Sequence, residues 1–394
     1  MYVWRTAYDA KGEVRQHTLA EGGGHALLAA LATQAFTTLR ISASVWEHGP
    51  EWWAIHYEPS VLMFDAEHGR DRERTAYNAR KCAEAGRRRT AIRGQFHGYS
   101  DLFVPLMLKQ RVVAFLIAGP FVTARLSAKN ILERWQLLTG RQGHSSDPEF
   151  AAYLSTALST LVLDGPKLAA FEELVASLAQ LMGGAGRADT LMNRIEHLSR
   201  ELDQIRFAEQ AWDLVRTMLD DRAPRGAYAP SAANQRRLLG LSRIADHVLV
   251  GLTRSRRSEP DPVDEAVRRD ALQRACVELA RATGDVLCGQ VGDHGVVFLC
   301  GSSGSSDKKR RKLNSLAGRA GALAQSFGFS LHCGVSPASR AIPPSRSYQA
   351  ALAAAESALS RDEKMLAAES GNAFSLHPLR GLRKELARAV LESP

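Results

Sequence analysis

The chain has 394 residues with a formal net charge of +9, and 45% of its residues are hydrophobic and 24% charged. At roughly 100–200 residues per domain this length predicts two or three domains, each burying its own core, and the composition excludes a wholly disordered or fibrous protein. The longest apolar run, residues 112–122, is interrupted by Gly119-Pro120, and a bilayer span takes about 20 apolar residues, so no membrane crossing is expected.

The start of the chain lacks the basic stretch and apolar run of a signal peptide. Five cysteines (Cys82, Cys276, Cys288, Cys300, Cys333) are odd in number and form no CxxC pair. They predict free thiols in a reducing cytoplasm, with no disulfide framework, metal site or cofactor. The basic excess alone defines no partner.

In chain order, residues 26–39 form a helix whose one face carries Leu27, Leu28, Leu31, Ala35 and Leu39. Strands follow over 40–45, 52–57, 102–108 and 111–118; only Lys109-Gln110 separates the last two, which predicts a tight hairpin without the usual Gly or Asn. Helices are expected over 72–86 and 128–139.

Residues 167–221 are helical by pattern, split at Gly183-Gly184-Ala185-Gly186. Leu191, Ile195, Leu198, Leu202 and Ile205 alternate steps of four and three, close to three heptads. Two readings stand: a helix packed on its neighbours, or a parallel dimeric helix, the latter favoured because the segment lies between two α+β regions.

A Pro/Gly/Ala/Ser linker covers 223–233. Beyond it the pattern reads strand 247–253, helix 261–283, strand 286–291, a turn at Gly292-Asp293, strand 295–300, helix 307–327, strand 329–335 and helix 347–360. Asp261 and Pro262 suit the N-cap and first position of their helix. A charged amphipathic helix over 379–391 ends the chain.

The order strand, helix, hairpin, helix, strand, helix resembles the GGDEF/nucleotide-cyclase palm. The hairpin Gln290-Val291-Gly292-Asp293-His294-Gly295-Val296-Val297-Phe298 keeps a glycine and an acid at its tip but lacks the paired glycines and the consecutive Asp-Glu. The first strand is followed by Thr253-Arg254-Ser255-Arg256-Arg257, cations where a carboxylate would help hold two metals. A degenerate palm without catalysis is expected, of the kind that stands between a sensor and a helix-turn-helix in some AraC-family regulators.

Earlier in the chain, Gly98-Tyr99-Ser100-Asp101-Leu102-Phe103-Val104-Pro105-Leu106, followed by Gly119-Pro120-Phe121-Val122, resembles the PocR-type sensory domain. That family has a Gly-Φ-x-Asp-Φ-x-Val-Pro-Φ segment, Φ being apolar, and a Gly-Gln-Val-like turn; here Pro120 replaces the Gln, and Phe96-His97 stands where many members have Cys-His. The resemblance implies a PAS-related pocket that binds a small organic effector without catalysis. Aromatic and polar side chains suited to a pocket concentrate in the same region. The expected ligand-binding residues are Trp46, Trp53, His56, Tyr57, Cys82, Phe96, His97, Tyr99, Asp101 and Phe103.

Two other motifs fail. Gly301–Ser306 lacks the closing Gly-Lys-Ser/Thr of a phosphate loop. Around Ala245 a helix-turn-helix would need glycine where Leu249 stands.

The expected fold class is therefore α+β: a PAS-like sensory domain, a helical, coiled-coil-like connector and a GGDEF/cyclase-palm-like α/β domain. The expected boundaries are 1–165 for the sensor, 166–222 for the connector and dimerisation helix, 223–233 for the linker, 234–365 for the degenerate palm, and 366–394 for a helix leading to an output domain outside the chain. The expected protein is a cytoplasmic, homodimeric, non-enzymatic ligand sensor of a one-component AraC-type regulator. It takes a small-molecule effector and reaches DNA only through that output domain. The alternatives are an adaptor without DNA binding and an active nucleotide cyclase.

Overall fold

Two nearly continuous apolar runs within residues 99–121 give two long strands, joined by a turn at Lys109-Gln110 in which both residues have positive φ (47° and 67°). Positive φ at both central positions makes the turn twist with the strands, so this hairpin closes without a glycine. His97 and Gly98 (φ 48° and 81°) close the preceding hairpin in the same way.

The computed structural model describes residues 25–47, 52–184, 187–220, 239–241, 245–258, 261–292, 294–301, 306–337 and 343–368. It is a mixed α+β protein built on antiparallel pairing, and it divides into two compact units. One comprises Met1–Phe207 with Asp261–Val267, the other Ala208–Pro260 with Arg268–Pro394.

The first unit runs α1 (His25–Leu39), β1 (Ala43–Glu47), β2 (Trp52–His56), α2 (Leu62–Glu67), α3 (Asp71–Arg88), β3 (Ile92–Phe96), β4 (Tyr99–Leu108), β5 (Arg111–Phe121), α4 (Ala128–Thr139), α5 (Pro148–Ser159), α6 (Gly165–Met182) and α7 (Ala188–Asp203). Its strands form one antiparallel sheet in the order β2-β1-β5-β4-β3. Strand periodicity assigns the faces. Val45, Leu102, Val104, Ala114 and Leu116 turn towards α1, α6 and α7. Phe103, Phe115 and Ile117 turn towards Tyr77, Cys82 and Ala85 of α3. A third cluster, around Trp135, Phe150 and Tyr153, joins α4 and α5 to Tyr99 and Phe64.

The α4 and α5 ends show why these segments become helices. Ser127 and Asn130 close a capping box and Gly140 (φ 72°) ends α4, while Asp147 caps α5 with Pro148 at its first turn. In α3, Asp71 and Glu73 stand in the first turn and Arg87 and Arg88 in the last, with the sign that complements the helix dipole.

The heptad stripe of α7 is consumed inside the protomer. Leu191, Ile195, Leu198 and Leu202 are all buried in the same core as the sheet and α6. A parallel coiled coil needs that stripe free for a second chain, so the expected dimer seam is corrected to a packing face. The helices expected as a separate connector thus fall largely within the first unit.

A short 3-10 turn, Gln204–Arg206, breaks the helix, and α8 (Phe207–Leu219) opens the second unit. There follow β6 (His247–Ser255), α9 (Pro262–Thr283), β7 (Val286–Val291), β8 (Gly295–Cys300), α10 (Ser306–Ser326), β9 (Phe329–Val335), α11 (Pro344–Ser360) and β10 (Met365–Ala367). The sheet order is β10-β9-β6-β8-β7, antiparallel except for the parallel β9–β10 pair. Asp261 Oδ1 accepts from the Val263 amide at 2.9 Å, as an N-cap does. From α9, Gln273 donates to the Gly295 carbonyl (3.0 Å) and accepts from Gln290 (2.8 Å), which holds the β7–β8 hairpin. Gly334 is needed because a Cβ there would overlap the backbone of α11 at Ala351 and Ala355. On α8, Glu209 takes Arg274 at 2.6 Å, and Trp212 receives its guanidinium 5.0 Å from the ring centre.

Asp293, the linker 223–233 and the tail helix 379–391 lie outside the described residues, as do residues 242–244 of the stretch weighed as a helix-turn-helix, whose later part is the strand β6. No helix among the described residues is long and apolar enough to cross a membrane.

All five cysteines are free and buried. Burial pushes the thiols up, to about 12 at Cys276, Cys300 and Cys333. An unfolded thiol titrates near ~8.5. A raised folded value makes the native state hold protons that the unfolded state has released. The stabilisation is therefore full below about pH 8.5 and is lost as pH rises towards 12. The melting temperature is expected to fall on titration from pH 8 to 10. A thiol-reactive dye is expected to count near zero thiols in the native protein and all five in guanidinium.

Candidate functional site

The Asp-x-x-Val-Pro segment lies on β4, and its acid points to the α3 side of the sheet. Asp101 is fully buried. Its Oδ1 accepts from Arg74 Nη2 at 2.5 Å, and its Oδ2 from the Tyr77 hydroxyl at 3.3 Å. Arg74 and Tyr77 sit one turn apart on α3, which brings both to one carboxylate. The Arg74 guanidinium also lies 5.3 Å from the Tyr77 ring centre and 5.2 Å from that of Phe96. Burial pushes the Asp101 carboxyl up from its ordinary value, against the opposing pull of Arg74 and of the two hydrogen bonds. The Tyr77 hydroxyl is raised by burial and by the neighbouring Asp101.

Gly119 explains why the two parts of the motif belong together. The β4–β5 register shifts between Ser100 and Leu102, and a Cβ on Gly119 would overlap Asp101 Oδ1. Gly119→Ala is expected to destabilise by about 1–3 kcal/mol through overpacking, read as a lowered urea midpoint. An unchanged midpoint would mean that Asp101 has room to move.

A second buried ion pair lies around the β3–β4 turn. Arg134 of α4 donates to Asp65 Oδ1 at 3.3 Å and to the carbonyls of His97 and Phe96. Its guanidinium stacks over Tyr99, 4.0 Å from the ring centre. Tyr99 and Tyr153 share a hydrogen bond of 3.4 Å. Arg134 Nε and Asp65 Oδ2 are buried without a hydrogen-bond partner. His97 is held below its ordinary pKa, first by burial and then by Arg134.

Beside this pair opens a cleft of about 340 Å³, lined by residues 95, 97–100 and 122–126 and by one face of α4 from Asn130 to Leu137. Pockets for small organic molecules begin at about 300 Å³, and the cleft's volume lies at the lower end of that range.

The expected ligand residues are dispersed. His97 and Tyr99 line the cleft. Asp101, Phe96, Phe103, Cys82 and Trp46 belong to the α3 side, where Tyr77 packs on Phe96 and Phe103 and Trp46 packs on Phe115. His56 is at the far edge, bonded to Thr37 at 3.2 Å, and Tyr57 follows it, 39% exposed. Trp53 pairs with Val45 in the sheet, and its side chain is outside the described residues.

Arg74, Tyr77, Asp65 and Arg134 were absent from the expected set. Their signal was an arginine within an otherwise apolar helical stripe: Arg74 with Tyr77, Cys82 and Ala85, and Arg134 with Ile131, Trp135 and Leu138. Among the described residues no group of three His, Cys, Asp or Glu is placed to hold a metal ion. No protein-family model matches the chain, and no curated protein matches it.

Proposed function

We propose that the chain is the sensory region of a one-component, AraC-type transcriptional regulator, which binds a small organic effector without altering it and passes the bound state to a DNA-reading domain outside the chain. The observation that carries this reading is the cleft beside Tyr99 and Arg134, set at the end of a five-stranded antiparallel sheet of order 2-1-5-4-3. That order and the helices on both faces support a PAS-like fold.

The second unit supports a degenerate palm. Its path is β-α-β-β-α-β with β6 central, flanked by the β7–β8 hairpin and by β9. Where a palm cyclase offers a metal carboxylate after the first strand, Thr253 donates to the His294 carbonyl at 2.8 Å, and Arg254 extends to within 3.9 Å of Asp362. Free, buried thiols suit a reducing cytoplasm.

The test is a metabolite screen by thermal shift, with a parallel assay of GTP turnover in magnesium and manganese. An effector at a hundred times its Kd adds about 2.7 kcal/mol to the stability of the unit that binds it. The expected outcome is such a shift with no nucleotide product. Product above background would replace the sensor reading with a cyclase.

A further inference from the structure

We infer that the outer face of α3, with the β4–β5 hairpin tip towards which it runs, grips the phosphate backbone of duplex DNA without reading its sequence. The contact would be made by the first unit itself and is independent of the effector-sensing reading.

A run of cations without counter-charge carries the inference. At 3.6 residues per turn, positions 72, 76, 80, 83 and 87 fall within about 80° of one another, on a stripe about 23 Å long. They read Arg, Ala, Arg, Ala, Arg, and every one is exposed. The side chains of Arg72, Arg80 and Arg87 make no ion pair or hydrogen bond among the described residues, and neither does that of Arg89 at the helix end. The acids of the helix are already outnumbered. Asp71 stands in its first turn, and Glu73 pairs with Arg70 at 2.8 Å. Glu84 faces Lys81 and Arg88, each at 2.9 Å, and Arg87 as well.

Helix stability accounts for only part of this charge. Arg87 complements the helix dipole, but Arg72 stands in the first turn, where the dipole disfavours a cation. Arg89 takes a left-handed position (φ 51°) where glycine is the usual residue. Arg74 meets Asp101 beside Gly119, and a Cβ on Gly86 would lie 3.2 Å from Phe115, so α3 advances along β5 towards the hairpin. At that tip Lys109 and Arg111 are exposed and unpaired among the described residues.

The composition of the stripe selects the partner. A protein partner needs apolar or aromatic anchors at the centre of its contact. Single-stranded nucleic acid needs aromatic platforms for its bases, and insertion into a membrane surface needs an apolar helix face. The helix spends Tyr77, Cys82 and Ala85 in the core and leaves only alanines between the outer arginines. Duplex DNA asks for no more than cations along a rigid rod, which carries about 13 phosphates over 23 Å. An arginine fork takes a phosphate through two parallel hydrogen bonds.

The experiment measures the fluorescence anisotropy of labelled duplexes of about 20 base pairs, in two unrelated sequences, with the full chain in about 50–200 mM KCl. The expected result is equal affinity for both sequences and a log–log salt slope of about −5, one phosphate for each of Arg72, Arg80, Arg87, Arg89, Lys109 and Arg111. Arg72→Gln, Arg80→Gln, Arg87→Gln and Arg89→Gln combined are expected to flatten the slope by about 3–4 and to weaken binding at least about tenfold. The melting temperature is expected to stay in place, because all four side chains are exposed. Lysine at the same four positions is expected to restore the slope. Arg254→Gln with Arg256→Gln, exposed cations of the second unit, is expected to change it by less than about 1. No binding at the lowest salt, a marked preference for one sequence, or a slope unmoved by the α3 variant overturns the inference. So does tighter binding of poly-L-glutamate, oligothymidylate or phosphatidylglycerol vesicles than of the duplex, since each puts a different partner on this face. None of these outcomes bears on the effector screen or on GTP turnover, which test the sensor reading.

Discussion

Asp101→Ala is expected to destabilise the first unit by about 3–5 kcal/mol, because it leaves the Arg74 guanidinium buried with no counter-charge. Arg74 is 3% exposed and its Nε already lacks a partner, so little water is at hand to take over. Exchanging both members for apolar residues, Arg74→Met with Asp101→Val, is expected to recover most of the loss. A buried pair costs nearly as much to desolvate as it returns. Of the six tryptophans all but Trp212 lie in the first unit, so intrinsic fluorescence in urea reports mainly on that unit. A loss below about 1 kcal/mol for the single variant would show that the Asp101 site opens to solvent.

Arg206→Ala is the second large effect, expected at about 3 kcal/mol. Arg206 occupies the 3-10 turn just before the chain leaves the first unit, and it is 5% exposed. It donates to three carbonyls: Leu39 at 2.9 Å, Arg40 at 3.1 Å and Ser159 at 3.0 Å. These lie at the C-terminal ends of α1 and α5, where orphan carbonyls gather and the helix dipoles are negative. One cation thus closes two helix ends. Removal leaves both without donors, and each charged hydrogen bond contributes about 1.5–3 kcal/mol before water offsets part of it. Arg206→Lys keeps the charge but not the planar fork, so about half the loss is expected to remain. Amide exchange is expected to accelerate at the end of α1 and in the 3-10 turn. Unchanged exchange in both would mean that the helix ends are held by other contacts.

The local elements were largely legible in the chain itself. The hairpin at Lys109-Gln110 follows from two apolar runs separated by two residues, and β7, β8 and β9 fall on the boundaries read from their patterns. The caps at Ser127 and Asp261 act through their own side chains within one helical turn. Short-range stereochemistry governs such features, and it is written in neighbouring residues.

What the stripe of α7 would cover was not legible. A heptad pattern states only that one helix face is apolar; whether a second chain or the protein's own sheet buries it depends on which surface is nearer after folding. The α2 helix, β3 and β10 were equally hidden: six, five and three residues long, they owe their state to pairing and packing.

The site divides along the same line. Asp101 and Gly119 stand out in the sequence, each by residue type. Their contact, and the choice of Arg74 and Tyr77 as partners, required the register of β4 on β5 and the seating of α3 on the sheet. The cleft belongs wholly to the tertiary structure. Ser100 comes from β4 and Arg134 and Leu137 from α4, and only folding decides that these two elements line one cleft. The sequence by itself determined where the chain turns, caps and alternates, because those depend on adjacent residues. The tertiary structure alone decided which charges are buried together and where a cavity is left, because both depend on surfaces far apart in the chain.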